Sequence, residues 1–286
     1  MANITTTTAA VFLPTLWSTE TLRAAESALV AAGIVKRYDA LVQAKGQAIK
    51  IPLISNLSAN AKSANSDVQT QVVTETSVTL TVNKWYESSF EIEDIVAVQS
   101  NYDLRSEYSE KAGYAIAQQV DTDVLTLYTN LTTTDVGSYG IDAGDATYVA
   151  AELALDLNDV PLENRYFIIH PTQKAAIMKI DKFVKADYLG NYDQATPVRK
   201  GPSSRYLWGE VYGVPVYYTN NVPTTAATPN QYHNLLIHRE SFALAMQQAP
   251  RLQAAYWLPS LAWKIVVDAI YGVITLRAGF GVNIRS

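Results

Sequence analysis

Two short stretches of alternating residues, held apart by a long polar segment, constrain this chain more than any other feature. Ile49, Ile51 and Leu53 alternate with Ala48, Lys50 and Pro52, while Val78, Leu80 and Val82 alternate with Ser77, Thr79 and Thr81. Period-two alternation in β-branched company predicts two strands. The residues between them, SNLSANAKSANSDVQTQVVTET, are small and polar, and they far exceed the roughly two to five residues of an ordinary hairpin loop. An isolated two-stranded hairpin is marginal in water and offers unpaired strand edges. Residues 46–89 therefore read as an extended β-hairpin loop that needs another surface to lie on, and the chain reads as part of an assembly.

The flanking segments are consistent with this. Residues 1–45 form an N-terminal arm rather than a compact unit, with a Thr run leading into Val11, Phe12, Leu13, Pro14, Leu16 and Trp17. That apolar cluster suits packing on the chain's own core or strapping across a neighbouring subunit equally well. A short helix is expected over 20–30, ending near Gly33, and another over 91–98. The longest helical signal starts at Ser100 or Asn101, either of which can cap it. It carries Leu104, Tyr108, Ala112, Ile116, Val120, Val124, Leu127 and Leu131. Four-residue steps rotate this stripe about the axis, so the helix is expected to touch partners on more than one side. Further on, 145–157 reads as helix, 165–170 (RYFIIH) as a buried strand, and Pro171 opens a helix through Ile180. Residues 181–208, with two Gly and two Pro, read as a long surface loop. Strands are expected at 211–218, 235–238, 242–246 and 269–276. The class is α+β.

Composition narrows the function classes. Lys and Arg number 22 against 27 Asp and Glu, a net charge of −5, so nothing marks a basic nucleic-acid binder. Absence of Cys removes disulfides, thiolate zinc sites, iron–sulfur clusters and cysteine nucleophiles together. Charged residues are only 17% while Tyr reaches 18, the balance of a surface meant to be covered. The N-terminus lacks a basic region of the signal-peptide kind, and the apolar runs fall short of a membrane span. Three glycosylation sequons, at Asn3, Asn56 and Asn130, are read as coincidence.

Catalytic and ligand-binding motifs are missing too. There is no phosphate-cradling Gly-Lys loop, no dinucleotide fingerprint at Gly279 and Gly281, and no nucleophile elbow. A small hydrolase using His170 or His238 therefore lacks its nucleophile. His233 and His238 are five residues apart, outside any zinc-ligand pattern. Asp121 with Asp123 and Asp142 with Asp145 lack the ligand series of a calcium loop. No catalytic, metal or cofactor residue is assigned, and no enzymatic activity is expected.

The order of elements (arm, long hairpin, long helix, α+β body, closing strand) resembles the major capsid protein family of tailed bacteriophages. Three motifs carry the resemblance: RYFIIHPTQKAAI at 165–177, GEVYGVPVYYTNNVP at 209–223 and YGVITLRAGFGVNI at 271–284. It implies the capsid fold, with a spine helix at 101–128, a peripheral domain of 90–144 and 245–286, and an axial domain of 145–244. It implies a structural subunit that assembles, in the host cytoplasm, into hexamers and pentamers of an icosahedral shell around double-stranded DNA. The same fold serves encapsulin compartments, which enclose a cargo enzyme. The expected partners are other copies of the chain, a portal and a decoration protein. A separate scaffolding protein is expected as well, because the chain shows no long charged N-terminal scaffolding segment. DNA would be held without sequence-specific contacts, and no membrane is involved. Candidate inter-subunit contacts are Phe12, Leu13, Trp17, Ile49, Ile51, Leu53, Lys62, Val78, Leu80 and Val82. Some capsids of this family join a loop lysine to a neighbour's asparagine. Lys62 sits in small polar company with little apolar cover, so its amine is expected to stay protonated and the shell non-covalent.

Overall fold

The computed structural model describes residues 29–42, 48–54, 57–68, 70–73, 75–94, 104–180, 207–227 and 230–286. Most of the helix expected over 20–30, the caps Ser100 and Asn101, and most of the loop expected at 181–208 lie outside these residues, as do Phe12, Leu13 and Trp17. Among the described residues, the strands of the first half are β1 (Lys36–Arg37), β2 (Ala48–Leu53), β3 (Thr76–Thr81), β4 (Lys84–Glu93), β5 (Val136–Gly137) and β6 (Arg165–Ile169). The second half adds β7 (Leu207–Val211), β8 (Val214–Tyr218), β9 (Thr224–Thr225), β10 (Gln231–His238), β11 (Phe242–Trp257), β12 (Ala262–Thr275) and β13 (Gly281–Arg285).

These strands make three sheets. One runs β5-β13-β10-β6-β8-β7 with β9 beside β10, a second runs β1-β11-β12-β4, and β2 pairs with β3 alone. In the largest sheet the side chains alternate faces as a pleat requires. Ile168, Leu235 and Ile237 join one core with Val120, Val124 and Leu125 of the long helix. Phe167, Ile169, Leu236 and Val216 face a second core, with Tyr148, Ala151 and Leu155 of helix Asp145–Asp156. Buried Arg165 ties that helix to β6, donating to Glu152 at 2.8 Å, Asp156 at 2.7 Å and the Val160 carbonyl at 2.6 Å.

The long helix spans Leu104–Leu125 and continues as a 3-10 turn, Thr126–Asn130. Its four-residue stripe drifts about the axis, and the drift is used. Ala112 and Ile116 pack on Val267, Ala269 and Phe90 of the second sheet, whereas Val120 and Val124 sit under the first. One helix thus joins both sheets. Its polar residues add a second tie. Asp121, fully buried, accepts from the Val30 and Ala32 amides at 3.1 Å and from Asn221 at 3.3 Å. Asp123 takes Lys84 at 2.8 Å and the Tyr271 hydroxyl at 2.7 Å.

Several expectations change. The helix expected over 91–98 gives way at its start to strand: Glu91, Ile92 and Glu93 belong to β4, where Phe90 and Ile92 are half-buried, Glu91 and Glu93 are exposed, and Glu91 lies opposite Lys264. Acidic residues there mark a solvated strand face rather than a helix start; 95–98 lie outside the described residues. A short helix, Ala31–Ile34, ends one residue past Gly33. The single strand expected at 211–218 is a hairpin, turned by Tyr212 (φ 53°) and Gly213 (φ 81°). The short strands at 242–246 and 269–276 are the inner ends of β11 and β12, which run on to the turn at Leu258–Ser260.

Candidate functional site

Among the described residues no cluster of His, Asp or Glu is placed to hold a metal, and no helix is long and apolar enough to cross a membrane. The three histidines serve local structure. His170 caps helix Pro171–Ile177 by accepting the Thr172 amide. His233 stacks on Tyr128 at 4.3 Å and meets the edge of Tyr139, and His238 accepts the Glu240 amide at 3.1 Å. Burial lowers the pKa of all three. Asp142 meets Lys179 at 3.8 Å, and Asp145 accepts the Tyr212 hydroxyl.

What the surface does offer is exposed apolar area in two hairpins. The first is the arm. Its register sets Ile49 opposite Leu80, Ile51 opposite Val78 and Leu53 opposite Thr76. At its root, Leu80 and Val82 are buried with Val42, Ala243, Ala245 and Leu276, and Ile49, Ile51 and Val78 pack half-buried against them. This corrects the assignment of Leu80 and Val82 as inter-subunit contacts, because the subunit's own core consumes their surface. Leu53 remains half-buried at the edge of that root. The exposed apolar residues lie farther out, at Ile54, Leu57, Val68, Val72 (93% exposed) and Val73. Alternation could not find them, since they stand in a polar run without a period. Gln71 closes this loop against Ser58, and Lys62, exposed, donates to the Ser66 carbonyl at 2.8 Å.

The arm leaves the body at a fixed seam. A Cβ on Gly272 of β12 would overlap the Thr81 carbonyl oxygen, so glycine is what lets the end of β3 cross the sheet so closely.

The second surface is the outer half of β11–β12. Register shifts between Met246 and Arg251, around Pro250, divide buried Phe242–Ala245 from an exposed outer stretch. There Leu252, Tyr256, Trp257 (55%), Leu258 (73%), Leu261 and Trp263 are all exposed. On the sheet behind them, Asp268 accepts from Arg251 at 2.9 Å, Trp85 at 3.1 Å and Gln248 at 3.0 Å, and these donors, Arg251 first, hold its carboxyl below the usual range. The signal for this surface is an uncharged run, LQAAYWLPSLAW at 252–263.

The described residues form a body of two sheets bridged by one helix, with apolar hairpins turned outward. A sequence model of the phage capsid protein family matches residues 74–280. Solved structures of similar fold include one from Mycobacterium phage Che8, 20% identical with a TM-score of 0.77 over 96% of this chain and 97% of that one. The capsid of Cyanophage P-SCSP1u is 18% identical, with a TM-score of 0.76 over 97% and 93%. The mature capsid of bacteriophage PhiM1 is 12% identical, with a TM-score of 0.73 over 96% and 91%. A search of curated protein sequences gives no match. The fold is that of a phage capsid subunit. The chain belongs to the phage capsid protein family, and it is a structural protein of the virion.

Proposed function

We propose that the chain is the major shell subunit of a tailed phage, building hexamers and pentamers of an icosahedral capsid around double-stranded DNA. The observation that carries this reading is the arm: in a chain of the capsid family, β2 and β3 pair only with each other and lead to a loop with exposed Ile54, Val68 and Val72. Such a hairpin gains stability by lying on a neighbour. In this reading 46–89 is the extended loop, Leu104–Leu125 the spine helix of a peripheral domain (90–144 and 245–286), and 145–244 the axial domain. Residues 1–45, with Phe12, Leu13 and Trp17, form the N-terminal arm. Contacts between copies fall on that cluster and on Ile49, Ile51, Leu53, Lys62 and Val78 as the arm is laid down. Assembly takes place in the host cytoplasm, with a separate scaffolding protein, a portal and a decoration protein as partners. The subunit does no chemistry.

Native particles containing this chain should sediment as shells, protect double-stranded DNA from nuclease, and show hexamers and pentamers by cryo-electron microscopy. Shells filled with protein and lacking DNA would replace this reading with an encapsulin-like compartment around a cargo enzyme. A small soluble oligomer from infected cells would overturn both.

A further inference from the structure

We propose that the cavity between the arm and the body is a docking site for an acidic segment of a partner protein, whose carboxylate is taken by Arg277 and whose seating fixes the arm; this does not depend on the shell reading above. The cavity measures about 420 Å³. Leu53 and Ile54, at the outer end of β2, form its arm side. Its body side is Asn158, just after helix Asp145–Asp156, with Arg277, Gly279 and Phe280 between β12 and β13. That volume falls within the roughly 300–1,000 Å³ of ordinary ligand sites.

Arg277 is the one charged residue among these, and its guanidinium has no hydrogen-bond or ion-pair partner among the described residues. It rests on the Phe280 ring at 4.8 Å. That contact uses the face of the cation and leaves the N–H donors at its edge free to grip a carboxylate with two bonds. Nearby acids do not satisfy it. Glu240 is taken by Lys36 at 2.6 Å and Asp156 by buried Arg165 at 2.7 Å, while Asp159 and Glu163 do not line the cavity.

The remaining groups select a peptide over a phosphate. Asn158 donates its amide nitrogen to the Ala154 carbonyl at 2.9 Å, which leaves its Oδ1 as an acceptor. A Cβ placed on Gly279 would stand 3.9 Å from that oxygen, so the glycine leaves room beside it. An acceptor beside the arginine disfavours a phosphate group, crowded with acceptor oxygens, and suits the backbone N–H of an acidic residue. Leu53, Ile54 (83% exposed) and Phe280 offer apolar surface to the next side chain. The fitting segment is therefore an Asp or Glu beside a leucine-like residue. Because β2 pairs only with β3, an occupant touching Ile54 and Arg277 together ties the arm to the body at a second point, beyond its root.

The test uses the full chain as free subunits, with fluorescein-labelled octapeptides carrying Leu-Glu, Glu-Leu, Leu-Asp or Asp-Leu between Gly and Ser residues. At least one should bind, by anisotropy, about tenfold more tightly than its Gln or Asn counterpart. It should also slow protease cleavage within 57–73 about threefold. Arg277→Gln should weaken binding about tenfold and Ile54→Ser about threefold, with circular dichroism unchanged. Arg239→Gln, at an exposed position of the turn after β10, should bind like the unaltered chain. No peptide bound, acidic and amide peptides bound alike, or binding unaltered by Arg277→Gln would each overturn the site. Displacement by inorganic phosphate as readily as by unlabelled peptide would make it a general anion site and overturn the peptide. Binding without slower cleavage would overturn the fixing of the arm. If Arg277→Gln lowers particle yield while free subunits bind no peptide, the cavity belongs to a second copy and the partner protein is overturned.

Discussion

The arm and the β11–β12 hairpin are the same motif, a long antiparallel pair, with opposite support. β2 and β3 bond only to each other, whereas β11 and β12 have β4 along one flank, β1 at the inner end of the other, and the long helix against one face. Supported, the hairpin displays Trp257 and Leu258 in a fixed place; unsupported, the arm keeps its apolar root on its own body and lets small polar residues fill its outer loop. Exposed apolar surface is sustainable on both, but only the backed hairpin fixes where that surface will be. The arm's direction is set by its root alone.

Deleting 58–71 should break the comparison most severely. Particles should disappear altogether, while the thermal midpoint of the free body stays within about 2 °C, since a surface loop contributes little to a two-sheet core. Normal particles from the deletion would show that the arm is dispensable. Next in size is the seam. Gly272→Ala should destabilise the subunit by about 3 kcal/mol in denaturant melts, because its Cβ meets the backbone of Thr81 and Val82, which cannot swing aside. An unchanged midpoint would mean that β3 can shift off the sheet freely.

Acid should then separate body from arm. His170, His233 and His238 have pKa values lowered from 6.5, foremost by burial. The folded state therefore binds fewer protons than the unfolded one, so the stability they contribute is present above about pH 6.5 and is lost as pH falls through their lowered values. Residues 46–89 contain no His. Melting temperature should drop by a few degrees on acidification to pH 5.5, less so in His233→Gln, while proteolysis of the arm loop stays constant. A slope unaltered by His233→Gln would remove that residue from the account. The smallest effect expected is none: Lys62→Ala should leave particles boiled in SDS as a single monomer band, like the unaltered chain, because the Lys62 amine is exposed and donates to the Ser66 carbonyl of its own loop. A covalent ladder lost in Lys62→Ala would contradict this.

Where side chains alternate between water and core, the fold is legible in the sequence. Ile49, Ile51, Val78 and Leu80 announce both strands of the arm, and the helical stripe from Ala112 to Val124 announces the bridge between sheets. Reading fails where burial and polarity part company. The outer half of β11–β12 carries apolar residues on its exposed surface, so no alternation marks it and only its inner ends are visible. The Tyr212–Gly213 turn escapes notice because a tyrosine at positive φ stands where asparagine usually signals a hairpin. Leu80 and Val82 mislead for a related reason: alternation tells which face is apolar, not whether that face meets its own chain or another.

The place of β13 in the largest sheet bears on timing. It lies between β10 and β5, with Ile284 beside Val136 and Leu236 beside Val282. Residues 281–285 leave the ribosome after every strand they join, so β5 waits for its partner while well over a hundred residues are made. At roughly 5–20 residues per second that is on the order of ten seconds. Until then β10 has one edge open and the core around Val282 and Ile284 is unfilled. A half-made subunit therefore has its largest sheet open, and that sheet closes only when the last strand arrives.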